Sequence, residues 1–163
     1  MPDMRYWYCD ANVFLAYFNS EEGRVETIDT LFAQVTQNAY LKLVTSVLSI
    51  TEVSHVAAER SRGVLDENID EQLDLLWNDR SLLEFIDFNE VIARKARNLI
   101  RYAISNRLVI KPNDAIHLIS AQFVGAGRFF TYDKKLEKFS DFMQFPITPP
   151  DVDQPPLPLK YDE

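Results

Sequence analysis

The run Tyr6-Trp-Tyr-Cys-Asp10-Ala-Asn12-Val-Phe-Leu15 constrains the fold of this chain more than any other stretch. Four bulky or buried-preferring residues lead into a carboxylate, an Asn follows two places on, and an apolar run with helical spacing begins. This is the pattern of a buried strand whose C-terminal tip delivers Asp10 just before a helix starts. In open α/β sheets, ligands sit in the crevice beyond the carboxyl ends of the strands. An acid at that point is well placed to hold a cation.

The remaining chain repeats the alternation. Helical spacing predicts helices over residues 12–18 and 25–37, the second with Ile28, Leu31, Phe32 and Val35 on one face. Leu41 to Val44 reads as a second strand reaching Ser46, which caps a helix carrying Val47, Ile50, Val53 and Ala57 towards Glu59. An acidic amphipathic helix follows over 66–77, then a strand over 82–88, then a long helix over 91–107 with Asn89 as its cap. Pro112 disfavours helix at Lys111, so Asn113 or Asp114 is expected to cap a helix over 115–124. Gly125-Ala-Gly127 ends it, a short strand over 128–131 feeds Asp133, and a last small helix holds Leu136 and Phe139. Strands alternating with helices indicate α/β layering around a parallel sheet of four or five strands. The domain is expected to span residues 1–145, followed by a Pro-rich acidic tail over 146–163, too Pro-rich for helix and too polar for core.

A length of 163 residues suits one domain with a sizeable core, and 47% apolar with 26% charged residues is ordinary for a globular chain. No apolar run approaches the roughly 18 residues that span a bilayer, and Met1-Pro-Asp-Met-Arg5 lacks the pattern of a secretory leader. The single Cys9 has no internal disulfide partner and reads as a small buried hydrophobe. A cytoplasmic protein without membrane association is the expectation. The net charge of −8 argues at first against a polyanionic partner, but the charge is unevenly placed. Residues 1–90 hold 6 Lys/Arg against 17 Asp/Glu, whereas residues 91–138 hold 10 against 3. A basic island in an acidic chain gives a local positive face, or simply a solvated helix.

Four acids stand where backbone punctuation exposes them: Asp10 after the first strand, Glu52 on a helix, Asp114 at a helix start and Asp133 after the last strand. If the first and last strands are central, Asp10 and Asp133 share one sheet edge. Clustered carboxylates repel one another unless a cation sits between them. Oxygen-only ligation favours a hard ion, Mg²⁺ or Mn²⁺, over zinc.

Taken together, Cys9-Asp10-Ala-Asn12-Val-Phe-Leu15, Ser49-Ile-Thr-Glu52-Val53, Pro112-Asn-Asp114-Ala-Ile-His117-Leu118-Ile-Ser-Ala121 and Phe130-Thr131-Tyr-Asp133 resemble the PIN domain, in order and in spacing. That nuclease family includes the VapC-type toxins of toxin–antitoxin pairs. The resemblance implies a three-layer α/β/α sandwich and a metal-dependent endoribonuclease using Mg²⁺ or Mn²⁺. It implies Asp10, Glu52, Asp114 and Asp133 as acidic ligands, with Asn12 and Thr131 positioning residues behind them. It also implies a homodimer and, if the chain is such a toxin, a small antitoxin that obstructs the acidic pocket. Ala11 and the Lys134-Lys135 pair depart from the pattern, since many members have a hydroxyl residue and some a further acid there. Substrate phosphates need counter-charge, and Lys111, Lys134 and Lys135 lie nearest the acids in sequence, ahead of Arg94, Arg97, Arg101 and Arg107. Tyr132 reads as packing before base stacking.

Other readings account for less. Glu52/His55 and Asp114/His117 have the Glu-x-x-His type of spacing found in di-iron bundles, but that site needs four long helices and leaves Asp10 and Asp133 unexplained. Both histidines read more readily as satisfied buried or supporting groups than as ligands. A phosphatase using Asp10 wants a second Asp where Asn12 stands, and no convincing receiver-domain acid pair or lysine is present. The rival from another class is a catalytically inactive module of the same fold that binds RNA or protein.

Overall fold

The computed structural model describes residues 2–151. Five strands form one sheet: β1 (Arg5–Cys9), β2 (Leu41–Ser46), β3 (Leu83–Ile86), β4 (Arg128–Phe130) and β5 (Ile147–Thr148). Their order is β3-β2-β1-β4-β5, and every neighbouring pair is parallel. In β1, Trp7 stands opposite Leu43 on one side and Arg128 on the other, so the first strand occupies the centre.

Parallel strands need crossover connections, and the helices supply them on both faces. Successive strand residues point to opposite sides, and the core divides accordingly. Tyr8, Val44, Ile86 and Phe129 pack with Ile92, Leu99, Leu118 and Phe139. Their neighbours Cys9, Leu43, Leu83 and Phe130 pack on the other face with Phe14, Ile28, Leu31 and Trp77. The first face is covered by α6 (Glu90–Ser105), α7 (Pro112–Val124) and α8 (Ser140–Met143). The second is covered by α1 (Ala11–Phe18), α2 (Arg24–Thr36) and α5 (Glu67–Asn78). This is the expected α/β/α sandwich, with five strands. Among the described residues no helix is long and apolar enough to cross a membrane.

Three local expectations are corrected. The helix expected from Ser46 to Glu59 is two short ones, α3 (Leu48–Glu52) and α4 (Ala57–Arg62), broken at Val53 with φ −105° and ψ 57°. The Ser46 hydroxyl does accept from the Leu48 N–H, at 3.2 Å. Two side chains capture the break, one remote and one from α4 itself: Asn19 Oδ1 accepts from the Ala57 N–H at 2.8 Å, and Glu59 accepts from the N–H groups of Val56 and Asp66 at 3.0 and 2.8 Å. These bonds to Asp66 and Val56 hold the buried Glu59 carboxyl below its usual range. Second, α7 begins at Pro112, not after Asn113 or Asp114, because proline at the first helical position needs no N–H partner and has its φ preset. Asp114 therefore lies within the first turn. Third, the start of the tail expected from residue 146 belongs to the sheet: Ile147 and Thr148 pair with Phe129 and Phe130, and Ile147 is buried. Residues 152–163, the rest of that expected tail, lie outside the described residues.

The long α6 is capped as expected, with Asn89 Oδ1 accepting from the Ile92 N–H at 3.0 Å. Replacing Asn89 with Ala leaves that donor without its partner and should lower stability by about 1 kcal/mol. Urea unfolding of the two proteins measures this, with the unfolding slope unchanged.

Candidate active site

The C-terminal ends of β1 and β4 are adjacent, and the Asp10 N–H continues their ladder by donating to the Phe130 carbonyl at 3.2 Å. Asp10 is also the residue before α1, where an Asp side chain ordinarily accepts from the helix's first N–H groups. Here it makes no such bond. The residue is 2% exposed, and neither carboxylate oxygen has a hydrogen-bond partner. Burial pushes its pKa up from the ordinary 3.8 to about 7; the charge of Asp114 adds to the rise, while the Thr131 hydroxyl and His117, close by but without a formed hydrogen bond to it, oppose it.

Asp114 stands in the first turn of α7, near enough for its charge to bear on Asp10, and its pKa is also raised. Burial is the main cause, with the charges of Asp133 and Glu52 adding, and His117 and Lys111 opposing. The four acids singled out in the sequence therefore form one electrostatically connected group. Among the described residues, however, no three His, Cys, Asp or Glu side chains already stand together as a metal-ligand set.

Asp133 follows β4 and caps the 3-10 turn Lys134–Phe139, one of its oxygens accepting from the Lys135 N–H at 3.0 Å. Its backbone N–H donates to Thr131 Oγ1 at 3.0 Å. Asn12, on the first turn of α1, donates to Thr131 Oγ1 at 3.2 Å and accepts from the Tyr132 N–H at 2.9 Å. Asn12 and Thr131 thus brace the loop carrying Asp133 against the helix that follows Asp10.

Glu52 is the last residue of α3. Its Oε1 lies 2.6 Å from His117 Nε2, and His117 Nδ1 lies 2.6 Å from the Tyr8 hydroxyl. Tyr8 in turn accepts from the Ser46 N–H at 3.0 Å. Close by, the Thr45 hydroxyl donates to the Cys9 carbonyl at 2.7 Å and lies 2.7 Å from Ser49 Oγ, which ties α3 to the end of β1. His117 is thus a satisfied buried histidine, as the sequence favoured. Its partner Tyr8 was not singled out, although it precedes Asp10 by two and so shares its strand face. His55 lies against Ser54 and takes no part.

Of the basic residues, Lys111 immediately precedes α7, and Lys134 with Lys135 follows Asp133; all three are exposed. Arg94 is paired with Glu90 at 2.6 Å on α6, a helix that carries none of the four acids. Tyr132 is half-buried beneath the Arg24 guanidinium, 4.1 Å from the ring centre, so it packs as expected. Arg24 went unnoticed in the sequence.

A family model for the PIN domain matches residues 7–141, and the chain belongs to that family. Its members are typically nucleases. The fold is similar to that of VapBC2 from Rickettsia felis bound to a DNA fragment from their promoter, with TM-score 0.68 and 17% identity, covering 90% of this chain and 99% of that one. It is also similar to VapBC-1 from nontypeable Haemophilus influenzae, with TM-score 0.63, 16% identity, and coverage of 88% and 97%. For FitAcB from Neisseria gonorrhoeae the TM-score is 0.53, at 15% identity and the same coverage. A comparison with curated proteins finds no match.

The buried Asp10 carboxyl makes a pH prediction for protein stripped of divalent ions. Its folded pKa is raised, so stability falls as pH rises from the ordinary 3.8 through about 7, then levels. Asp10→Asn is neutral throughout and should be the more stable protein at pH 8, by on the order of 4 kcal/mol. Urea unfolding in EDTA at pH 5 and pH 8 checks it: the gap between variant and parent must widen with pH.

Proposed function

We propose that this chain is a Mg²⁺- or Mn²⁺-dependent endoribonuclease of the PIN family, with Asp10, Glu52, Asp114 and Asp133 as the ion-binding acids. One observation carries the reading: both oxygens of Asp10 are buried and unpartnered at the end of the central strand, among further acids. The donor set is oxygen from carboxylates, which suits a hard divalent cation. These carboxylates would hold such an ion, which would supply Lewis-acid chemistry towards water and the phosphodiester oxygens. The chain's own residues orient the site. Asn12 and Thr131 hold the loop of Asp133, and α7 presents Asp114 from its N-terminal turn, where backbone N–H groups favour negative charge.

Lys111, Lys134 and Lys135 are the phosphate contacts of this reading, being exposed cations beside Asp114 and Asp133. On this reading the chain is the toxin of a toxin–antitoxin pair, a cytoplasmic homodimer whose acidic cleft a small antitoxin covers; the similarity of fold to VapBC structures supports the toxin–antitoxin assignment. Labelled single-stranded RNA incubated with the purified protein and Mn²⁺ should be cleaved, and EDTA should stop the reaction. Asp10→Asn should lower the rate by more than about 100-fold, beyond the loss typical of residues behind a metal ligand. RNA left intact at every Mg²⁺ and Mn²⁺ level would mark the chain as a binding module instead.

A further inference from the structure

Glu52 is the least anchored of the four acids by its own backbone. It ends a helix of five residues, and Val53 beyond it has left helical geometry. A glutamate in such a place has several rotamers open to it, and its two oxygens are equivalent until something distinguishes them. His117 makes that distinction. It belongs to the thirteen-residue α7, is 1% exposed, and has both ring nitrogens engaged.

The donors around the ring assign its tautomer. A carboxylate oxygen only accepts, so the hydrogen facing Glu52 Oε1 is on Nε2, and the Tyr8 hydroxyl, which accepts from the Ser46 N–H, directs its own hydrogen at His117 Nδ1. Nδ1 then accepts, and the ring hydrogen resides on Nε2, where it donates to Glu52 Oε1. Tyr8 cannot drift, because its ring stacks on Phe129 with centroids 5.0 Å apart and planes 10° from parallel. The chain Ser46–Tyr8–His117–Glu52 therefore runs from the fixed core to one carboxylate oxygen. It also joins three of the acid-bearing elements, since Tyr8 shares β1 with the approach to Asp10 and His117 lies one turn beyond Asp114.

We propose that Tyr8 and His117 are positioning residues that lock Glu52 through Oε1, leaving Oε2 free to ligate the ion. This rests on the metal-site reading above, but concerns residues that need not touch ion or substrate. Carboxylate–histidine contacts behind metal ligands typically control affinity by about 10–100-fold when removed. His117→Phe keeps a planar buried ring without the donor, His117→Gln restores an N–H near the place of Nε2–H, and Tyr8→Phe frees the tautomer.

Binding of Mn²⁺ alone to each purified protein, followed by electron paramagnetic resonance, tests the proposal, with circular dichroism melts alongside. His117→Phe should bind about 10–100-fold more weakly than the parent, His117→Gln should recover most of the loss, and Tyr8→Phe should bind several-fold more weakly. Long-range proton–nitrogen correlation spectra of the parent should show His117 protonated at Nε2. Parent-like affinity in His117→Phe, no recovery in His117→Gln, or protonation at Nδ1 alone overturns the proposal. If His117→Phe fails to fold, parent-like affinity in Tyr8→Phe overturns it. A parent protein that binds no Mn²⁺ overturns the metal-site reading and this inference together, whereas equal binding by all four overturns the inference alone.

Discussion

An ionisable carboxyl held out of water with nothing to bond it destabilises a fold unless something else satisfies it. Asp10 is in that position at the end of β1, the strand on which the whole sheet is built. Packing does not require an acid there. The helix it precedes is not capped by it, and the neighbouring core positions are filled by Cys9 and Ala11. Ordinary folding selects against this costly arrangement, which is the physical ground for proposing Asp10 as part of a functional site. Everything around Asp10 is arranged so that it stays in place despite that cost.

Two braces do most of this work, one on each side of the central strand. Asn12 and Thr131 connect α1 to the loop after β4, so the approach of Asp133 is set by the same turn that begins behind Asp10. Thr45 and Ser49 connect β2 and α3 to the Cys9 carbonyl, which carries Glu52 towards the same point. Both depend on parallel pairing, since it brings the C-terminal ends of β1, β2 and β4 to one border of the sheet. Asp114 arrives by a different route. The proline that opens α7 sets the start of the helix, and with it the turn on which that acid stands.

The layers and the parallel sheet were legible in the sequence because each rests on local signals, as was the placing of Asp10, Asp114 and Asp133 at strand and helix ends. Strand residues such as Tyr8 and Cys9 are apolar because both faces are covered, and Asn89 and Gly125 mark helix ends by their own chemistry. What stayed hidden depends on partners remote in sequence. Val47, Ile50, Val53 and Ala57 have helical spacing, yet Ile50 and Ala57 are exposed and the helix breaks, where Asn19, 38 positions away, offers the Ala57 N–H another bond. Ile147 looked like tail among prolines, yet its pairing with Phe129 is decided by the sheet. The Tyr8–His117 contact spans 109 positions, and nothing near either residue announces it.

The outermost strand, β5, has only two residues, and Pro146 precedes it while Pro149 and Pro150 follow. Prolines carry no N–H, so this margin of the sheet offers no run of free donors for a strand from another molecule. Fibre-like stacking through that side is thereby discouraged. A partner that meets this side of the sheet must therefore engage helical surfaces or loops and not extend the sheet.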